Sequence, residues 1–335
     1  MSVALHDLPN EVIFKVFENM SVDECIDIAQ TPGLNPQAKA VAEARVYRGP
    51  QLITNQRSQH RGHHKLVLSL TEFFDLIKSS PHYRHSVPQS LEVRIVRTGP
   101  GYVEFVREMR LLMEAIACPP SLEAQSYFEN TISQWSAVID ARLMLMENPT
   151  VVSTVILSFV ICAMQNPSFR DKLVSLALRD CEIGTMYVEQ WLRIFLQFSR
   201  LHTLDLTGVL LRGSDACHLR VPPTLRRLVL NGNPLCEIED EWVEHLPPSL
   251  TTLELRSCWL GNFQLQYPLT KYLPKLRVLN LQDNPLLTFL DVHTFRRAHH
   301  LTVYLSGTQL VEYNRHQVTE AVPGITLVMK RYSIS

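Results

Sequence analysis

One motif recurs along the C-terminal half of the chain: leucines spaced LxxLxLxx(N/C)xL. It reads Leu173-Leu176-Leu178-Cys181-Ile183, then Leu201-Leu204-Leu206-Val209-Leu211, then Leu225-Leu228-Leu230-Asn233-Leu235. Leu250-Leu253-Leu255-Cys258-Leu260 and Leu276-Leu279-Leu281-Asn284-Leu286 follow, with degenerate copies at Val303-Leu305-Thr308-Leu310 and at Ile325, Leu327 and Met329. The second apolar position falls at residues 176, 204, 228, 253, 279, 303 and 325, in steps of 28, 24, 25, 26, 24 and 22. A unit this short cannot bury an apolar face alone, so successive units must stack and share one core. Within LxLxx, alternate residues point to opposite sides of a short strand, which sends the leucines inward.

This period and pattern identify leucine-rich repeats. The predicted fold is an α/β solenoid over 66–332, with short parallel strands on the concave face and helices outside. The N/C position sits in the turn after each strand, where an Asn can both donate to and accept from unpaired backbone groups. Cys181 and Cys258 can do so only weakly and Val209 not at all, so an irregular turn is expected at Val209. Tyr187, Trp191, Ile194, Phe195 and Phe198 share one helical face after a strand. The array extends upstream: Leu66, Leu68 and Leu70 alternate, a helix is expected from Glu72 to Lys78, and Leu91, Val93 and Ile95 alternate again. Over about 100–170 the pattern lapses. Val103–Ala117 and Ser133–Met146 read as helical, which leaves open oversized repeats or an inserted helical segment. Val151–Met164 reads as a buried helix, too short to span a bilayer.

Ahead of the array, residues 8–17 read Leu-Pro-Asn-Glu-Val-Ile-Phe-Lys-Val-Phe. Pro9 suits the first turn of a helix, and Val12, Ile13, Val16 and Phe17 make an apolar stripe on it. Ser21 and Glu24 form a capping box for a second helix through Cys25, Ile26 and Ile28. Asn35-Pro36 opens a third that carries Ala38, Val41, Ala42 and Val46. Residues 5–48 resemble the F-box family, a three-helix all-α module, and 49–65 is expected to link it to the repeats. In that family the module docks on the Skp adaptor and through it on a cullin ubiquitin ligase. The resemblance implies that Leu8, Pro9, Val12, Ile13, Val16 and Phe17 contact the adaptor, joined by Val22 and Ile26. The chain departs from the family in its third helix, Ala-rich where many members carry a Trp. Read from its helices alone, the segment equally fits a cap on the first repeat.

A solenoid aligns its outward strand positions into a binding surface. Counting from the motif gives Ala177, Asp205, Val229, Glu254, Asn280 and Tyr304 in one row, and Arg179, Thr207, Asn231, Arg256, Gln282 and Ser306 in the next, with Arg227 beside them. The target-contacting candidates are Arg179, Asp205, Arg227, Glu254, Arg256, Asn280, Gln282 and Tyr304. A mixed polar row with Arg and Tyr suits a protein partner, and those two residue types are favoured interface anchors.

The remaining features exclude more than they assign. Basic and acidic residues nearly cancel, 32 against 33, so no global field draws the chain to nucleic acid or an anionic membrane. The N-terminal residues lack the basic and apolar regions of a signal peptide. The seven cysteines follow no framework and are expected as reduced thiols in cytoplasm or nucleus. The His-rich stretch around His60, His63 and His64 has no second ligand cluster, so no metal or other cofactor is expected. Gly99-Pro100-Gly101 lacks the Lys-Ser/Thr of a phosphate loop, and no nucleophile or zinc-hydrolase motif is present. The expectation is a non-catalytic target receptor of an SCF-type ubiquitin ligase, or a repeat scaffold that never joins one.

Overall fold

The structure is a computed structural model that describes residues 20, 22–33, 36–48, 51–55, 66–79, 91–97, 102–119, 121–127, 129, 132–141, 149–182, 192–238, 240–265 and 269–329. Its strands form one sheet of eleven, all paired in parallel: β1 (Gln51–Thr54), β2 (Leu66–Leu68), β3 (Leu91–Val96), β4 (Trp135–Asp140), β5 (Leu173–Arg179), β6 (Thr203–Asp205), β7 (Arg227–Val229), β8 (Thr252–Glu254), β9 (Val278–Asn280), β10 (Leu301–Tyr304) and β11 (Ile325–Val328). The order is sequential from β11 to β3 and ends β3-β1-β2. Helices α1 (Val22–Gln30) and α2 (Pro36–Arg48) precede β1, and the crossovers carry α3 (Leu70–Ser79), α4 (Val103–Ala117), α5 (Leu122–Ser126), α6 (Pro149–Gln165) and α7 (Glu312–Ala321), with shorter helical turns elsewhere. This is the predicted leucine-rich-repeat architecture.

The register follows the leucines. Leu176, Leu204, Leu228, Leu253, Leu279 and Val303 are mutual partners across β5 to β10. All are buried, and one apolar cluster runs from Cys25 to Ile325.

Two readings need correction. The segment 49–65, expected as a linker, contains β1, which inserts between β2 and β3. Leu52 and Ile53 are both buried there, so this short apolar pair belongs to the core. Ser133–Met146, expected as helix, contains β4. Trp135, Ala137 and Ile139 are buried and alternate with half-buried Ser136, Val138 and Asp140, a period of two. Trp135, Val138 and Ile139 also satisfy helical spacing, which is why the run misleads. The strand is pinned by Trp135, whose Nε1 donates to the Phe169 carbonyl at 2.7 Å and whose ring meets Phe169 edge-on at 5.1 Å. The gap over 100–170 is thus two oversized repeats, β3-α4-α5-β4 and β4-α6-β5, each keeping the strand–helix alternation.

At the N-terminal end, Pro36 starts α2, which buries Ala38, Val41, Ala42 and Val46, the stripe read from sequence. Cys25, Val41, Ala42 and Val46 share the core cluster of Ile53, Leu66 and Phe73. α1 and α2 pack on each other, and their buried residues belong to the same continuous apolar cluster as the sheet. The expected helix over 8–17, the Ser21 cap, the His-rich stretch and Gly99-Pro100-Gly101 lie outside the described residues, as do Tyr187 and Trp191. Of that same expected helical face, Phe195 and Phe198 are buried and Ile194 is half-buried.

The turns after the strands repeat one geometry. Asp180, Gly208, Gly232, Ser257, Asp283 and Gly307 occupy equivalent positions and all have φ between 49° and 78°. Gly208 donates its N–H to Asn231 O, and Ser257 donates to Gln282 O, so this turn extends the ladder past the strands. At Gly208 and Gly307 a Cβ would collide with the carboxylates of Asp180 and Asp283, so the close approach needs glycine there as well as the left-handed backbone. Where the next position is Asn, as at Asn233 and Asn284, proline follows. Where it is Val209 or Cys258, the following Leu210 and Trp259 also turn left-handed, at φ 59° and 60°. That second left-handed residue is the irregularity expected at Val209.

Candidate binding face and edge

The row counted from the motif aligns in register, but Ala177, Asp205 and Val229, expected as exposed, are buried. Ala177, Asp205, Val229, Glu254, Asn280 and Tyr304 are successive partners from β5 to β10. The row continues upstream through Val138, Arg94 and Thr54.

Ion pairs lace this face between neighbouring strands. Arg179 holds the Asp205 carboxylate through Nε at 2.7 Å and a terminal nitrogen at 2.6 Å. Arg227 reaches Glu254 at 2.6 Å, and Arg256 donates from Nε to Asp283 at 2.6 Å. In each pair the carboxylate is the more buried partner and the guanidinium the more exposed. Asp205, 6% exposed, also accepts from the Thr207 N–H and hydroxyl, so it orients Arg179 more than it offers itself to a partner. Asn231 donates to Glu254 at 3.2 Å and accepts from the Arg256 N–H at 2.8 Å. Asn280 accepts from the Gln282 N–H at 3.1 Å. Gln282 and Tyr304 are half-buried, while Arg227 and Arg256 are exposed. Exposed pairs of this kind are worth about 0–1 kcal/mol each; their larger effect is to fix guanidinium groups that are already oriented when a partner arrives.

The sequence reading missed the edge where the strands end. Trp259, Phe263, Leu286, Phe289, Val311 and Tyr313 are between 41% and 78% exposed, half of the exposed bulky apolar side chains among the described residues. They follow β8, β9 and β10 and are tied across repeats. The Asn262 side chain accepts from Thr288 and Phe289 N–H groups at 2.9 Å, Val311 N–H donates to Thr288 O, and Gly261 lies against Leu286. Phe263, Phe289 and Tyr313 hold equivalent positions, ten residues after Leu253, Leu279 and Val303. A row of exposed aromatics on adjacent repeats is the surface expected of a protein-binding site. The signal was present as aromatics recurring at the repeat period outside the strand motif.

Of the expected adaptor contacts, Leu8, Pro9, Val12, Ile13, Val16, Phe17 and the Val22 side chain lie outside the described residues. Ile26 is half-buried and packs against the core cluster. Cys181 and Cys258 are buried, and burial pushes both thiols up, Cys258 to about 12. Neither is a nucleophile in that state. Among the described residues, no three His, Cys, Asp or Glu side chains converge to hold a metal ion, and no helix is long and apolar enough to cross a membrane.

No protein-family model and no curated protein matches the chain. Among solved structures it is similar to the leucine-rich repeat domain of the type III effector XopL, at 14% identity over 100% of this chain and 99% of that one, with a TM-score of 0.38. It is similar to the yeast Rad7 and Elc1 complex at 15% identity, covering 97% and 90%, with a TM-score of 0.45. A leucine-rich-repeat protein of Leptospira interrogans matches at 12% identity, covering 94% and 97%, with a TM-score of 0.29.

Proposed function

We propose that the chain is the target-recognition subunit of an SCF-type ubiquitin ligase, holding the Skp adaptor through residues 5–48 and a target protein through its repeats. The observation that carries target binding is the exposed aromatic edge formed by Trp259, Phe263, Phe289 and Tyr313 beside the oriented guanidinium groups of the sheet face. Apolar anchors bordered by fixed polar groups are the usual anatomy of a protein interface. The adaptor half of the reading rests on the Leu-Pro-Asn-Glu-Val motif and its following helices. The chain itself supplies no chemistry; it raises the effective concentration of target lysines at a ligase assembled on the adaptor.

A second reading, a repeat scaffold outside any ligase with α1–α2 as its cap, is supported by the continuity of Cys25, Val41, Ala42 and Val46 with the apolar cluster of the repeats. Protein turnover separates the two. In cells lacking the chain, a ligase receptor leaves a set of proteins with lengthened half-lives. Wild type restores them, and a Trp259→Ala, Phe263→Ala, Tyr313→Ala variant does not. Unchanged half-lives across the bound partners would favour the scaffold.

A further inference from the structure

The insertion of β1 leaves a mark on the helical side. α4 and α6 follow the adjacent strands β3 and β4 and pack on each other: Asn166 Nδ2 donates to Ile116 O at 2.7 Å, and Cys162 Sγ lies 3.5 Å from Met113 O. α3 and α4 follow β2 and β3, which β1 separates by two strand spacings, about 9.6 Å. These two helices share no comparable contact. Between them lies an open groove of about 300 Å³, lined by Leu70, Thr71, Phe74 and Asp75 of α3 and by Leu111, Glu114, Ala115 and Cys118 at the end of α4.

Each wall is one helical face, with Leu70 and Phe74 four residues apart on one side and Leu111 and Ala115 on the other. The floor is apolar, and the charged lining is Asp75 and Glu114 with no cation. Neither carboxylate takes part in an ion pair among the described residues, and both residues are exposed. The volume is too small for a whole helix and sufficient for the side chains of one helical face. We propose that this groove docks a basic amphipathic helix of a partner protein, whose apolar side chains enter between α3 and α4 while its Lys or Arg side chains meet Asp75 and Glu114. The inference concerns the opposite side of the sheet from the target face and stands independently of the ligase reading.

Cys118 in the groove wall and Cys236 in a distant turn are both exposed thiols, so one reports and the other controls. The experiment alkylates the full chain with N-ethylmaleimide and follows each cysteine by mass spectrometry, with and without a helical peptide of alternating Leu and Lys pairs. The expected result is at least fivefold slower modification of Cys118 with no change at Cys236. The same peptide with Asp for Lys gives no protection. An Asp75→Lys, Glu114→Lys variant loses the protection at an unchanged melting temperature. The milder Asp75→Asn, Glu114→Gln pair, which serves if charge reversal disturbs folding, weakens it at least threefold. Unprotected Cys118, equal protection by the Asp peptide, or full protection in the neutralised variant would each overturn the proposal.

Discussion

The side-chain amide of Asn284 donates to the Leu255 carbonyl at 2.8 Å, so the turn after one strand satisfies the end of the strand before it. The same buried side chain donates to Leu281 O and accepts from the N–H groups of Cys258 and Leu260 at 3.0 Å. Asn233 repeats the arrangement two units earlier, with Leu206 O, Leu230 O and the Leu211 N–H. It thereby serves the Leu206 carbonyl, which Val209 cannot. Asn284→Ala strands several buried backbone groups, each costing about 1–3 kcal/mol, so a loss of about 3 kcal/mol or more is expected in urea unfolding. A midpoint within error of wild type would contradict this role.

Leu228 and Leu279 are fully buried at the centre of the shared core. Leu228→Ala and Leu279→Ala are each expected to cost about 2–5 kcal/mol, read as lowered denaturation midpoints. Unchanged midpoints in both would contradict the register.

Cys258 links stability to alkaline pH. Burial raises its thiol from the ordinary 9.0 to about 12, against the opposing backbone N–H groups of Asn233 and Gly232. The folded state therefore keeps its proton where the unfolded chain has lost it. That contribution is complete below pH 9 and is lost as pH climbs through about 12. Melting temperatures from pH 8 to 11 should fall more steeply for wild type than for Cys258→Ser. Parallel curves would remove the assignment.

Trp259, Phe263 and Tyr313 are exposed, so alanine at each should alter stability by no more than about 0.5 kcal/mol. Target retention should nonetheless fall at least tenfold for the triple variant, measured by co-purification of a target first defined by its lengthened half-life. An Arg256→Ala, Tyr304→Ala variant tests the sheet face in the same assay. Full retention in both variants would remove face and edge together as the target site.

The repeats were legible because LxxLxLxxN states a backbone geometry directly: alternate leucines inward, then a turn. Strand pairing followed to the residue, from Leu176 to Val303. β4 escaped because Trp135, Val138 and Ile139 fit two periods at once, and only tertiary packing on Phe169 decides between them. β1 escaped because four residues carry too little pattern to announce a strand. At the site, the alignment of the rows could be counted from the motif but not their exposure, since Ala177 and Val229 are buried, and the ion pairs depend on which long side chains meet across strands. Asp205 counted as a surface residue and proved buried, because Arg179 and Thr207 close over it. The aromatic edge lies in turns, where the motif fixes spacing and leaves exposure undetermined.

The central claim is that residues 5–48 hold a ligase adaptor, and direct binding tests it. Purified full-length chain is titrated with the Skp adaptor beside a Leu8→Ala, Pro9→Ala variant of equal melting temperature. The account predicts tight binding by wild type and at least a tenfold loss in the variant. A folded wild-type chain that does not bind, or a variant that binds equally well, would contradict it and leave α1–α2 as the cap of a repeat-based binding protein.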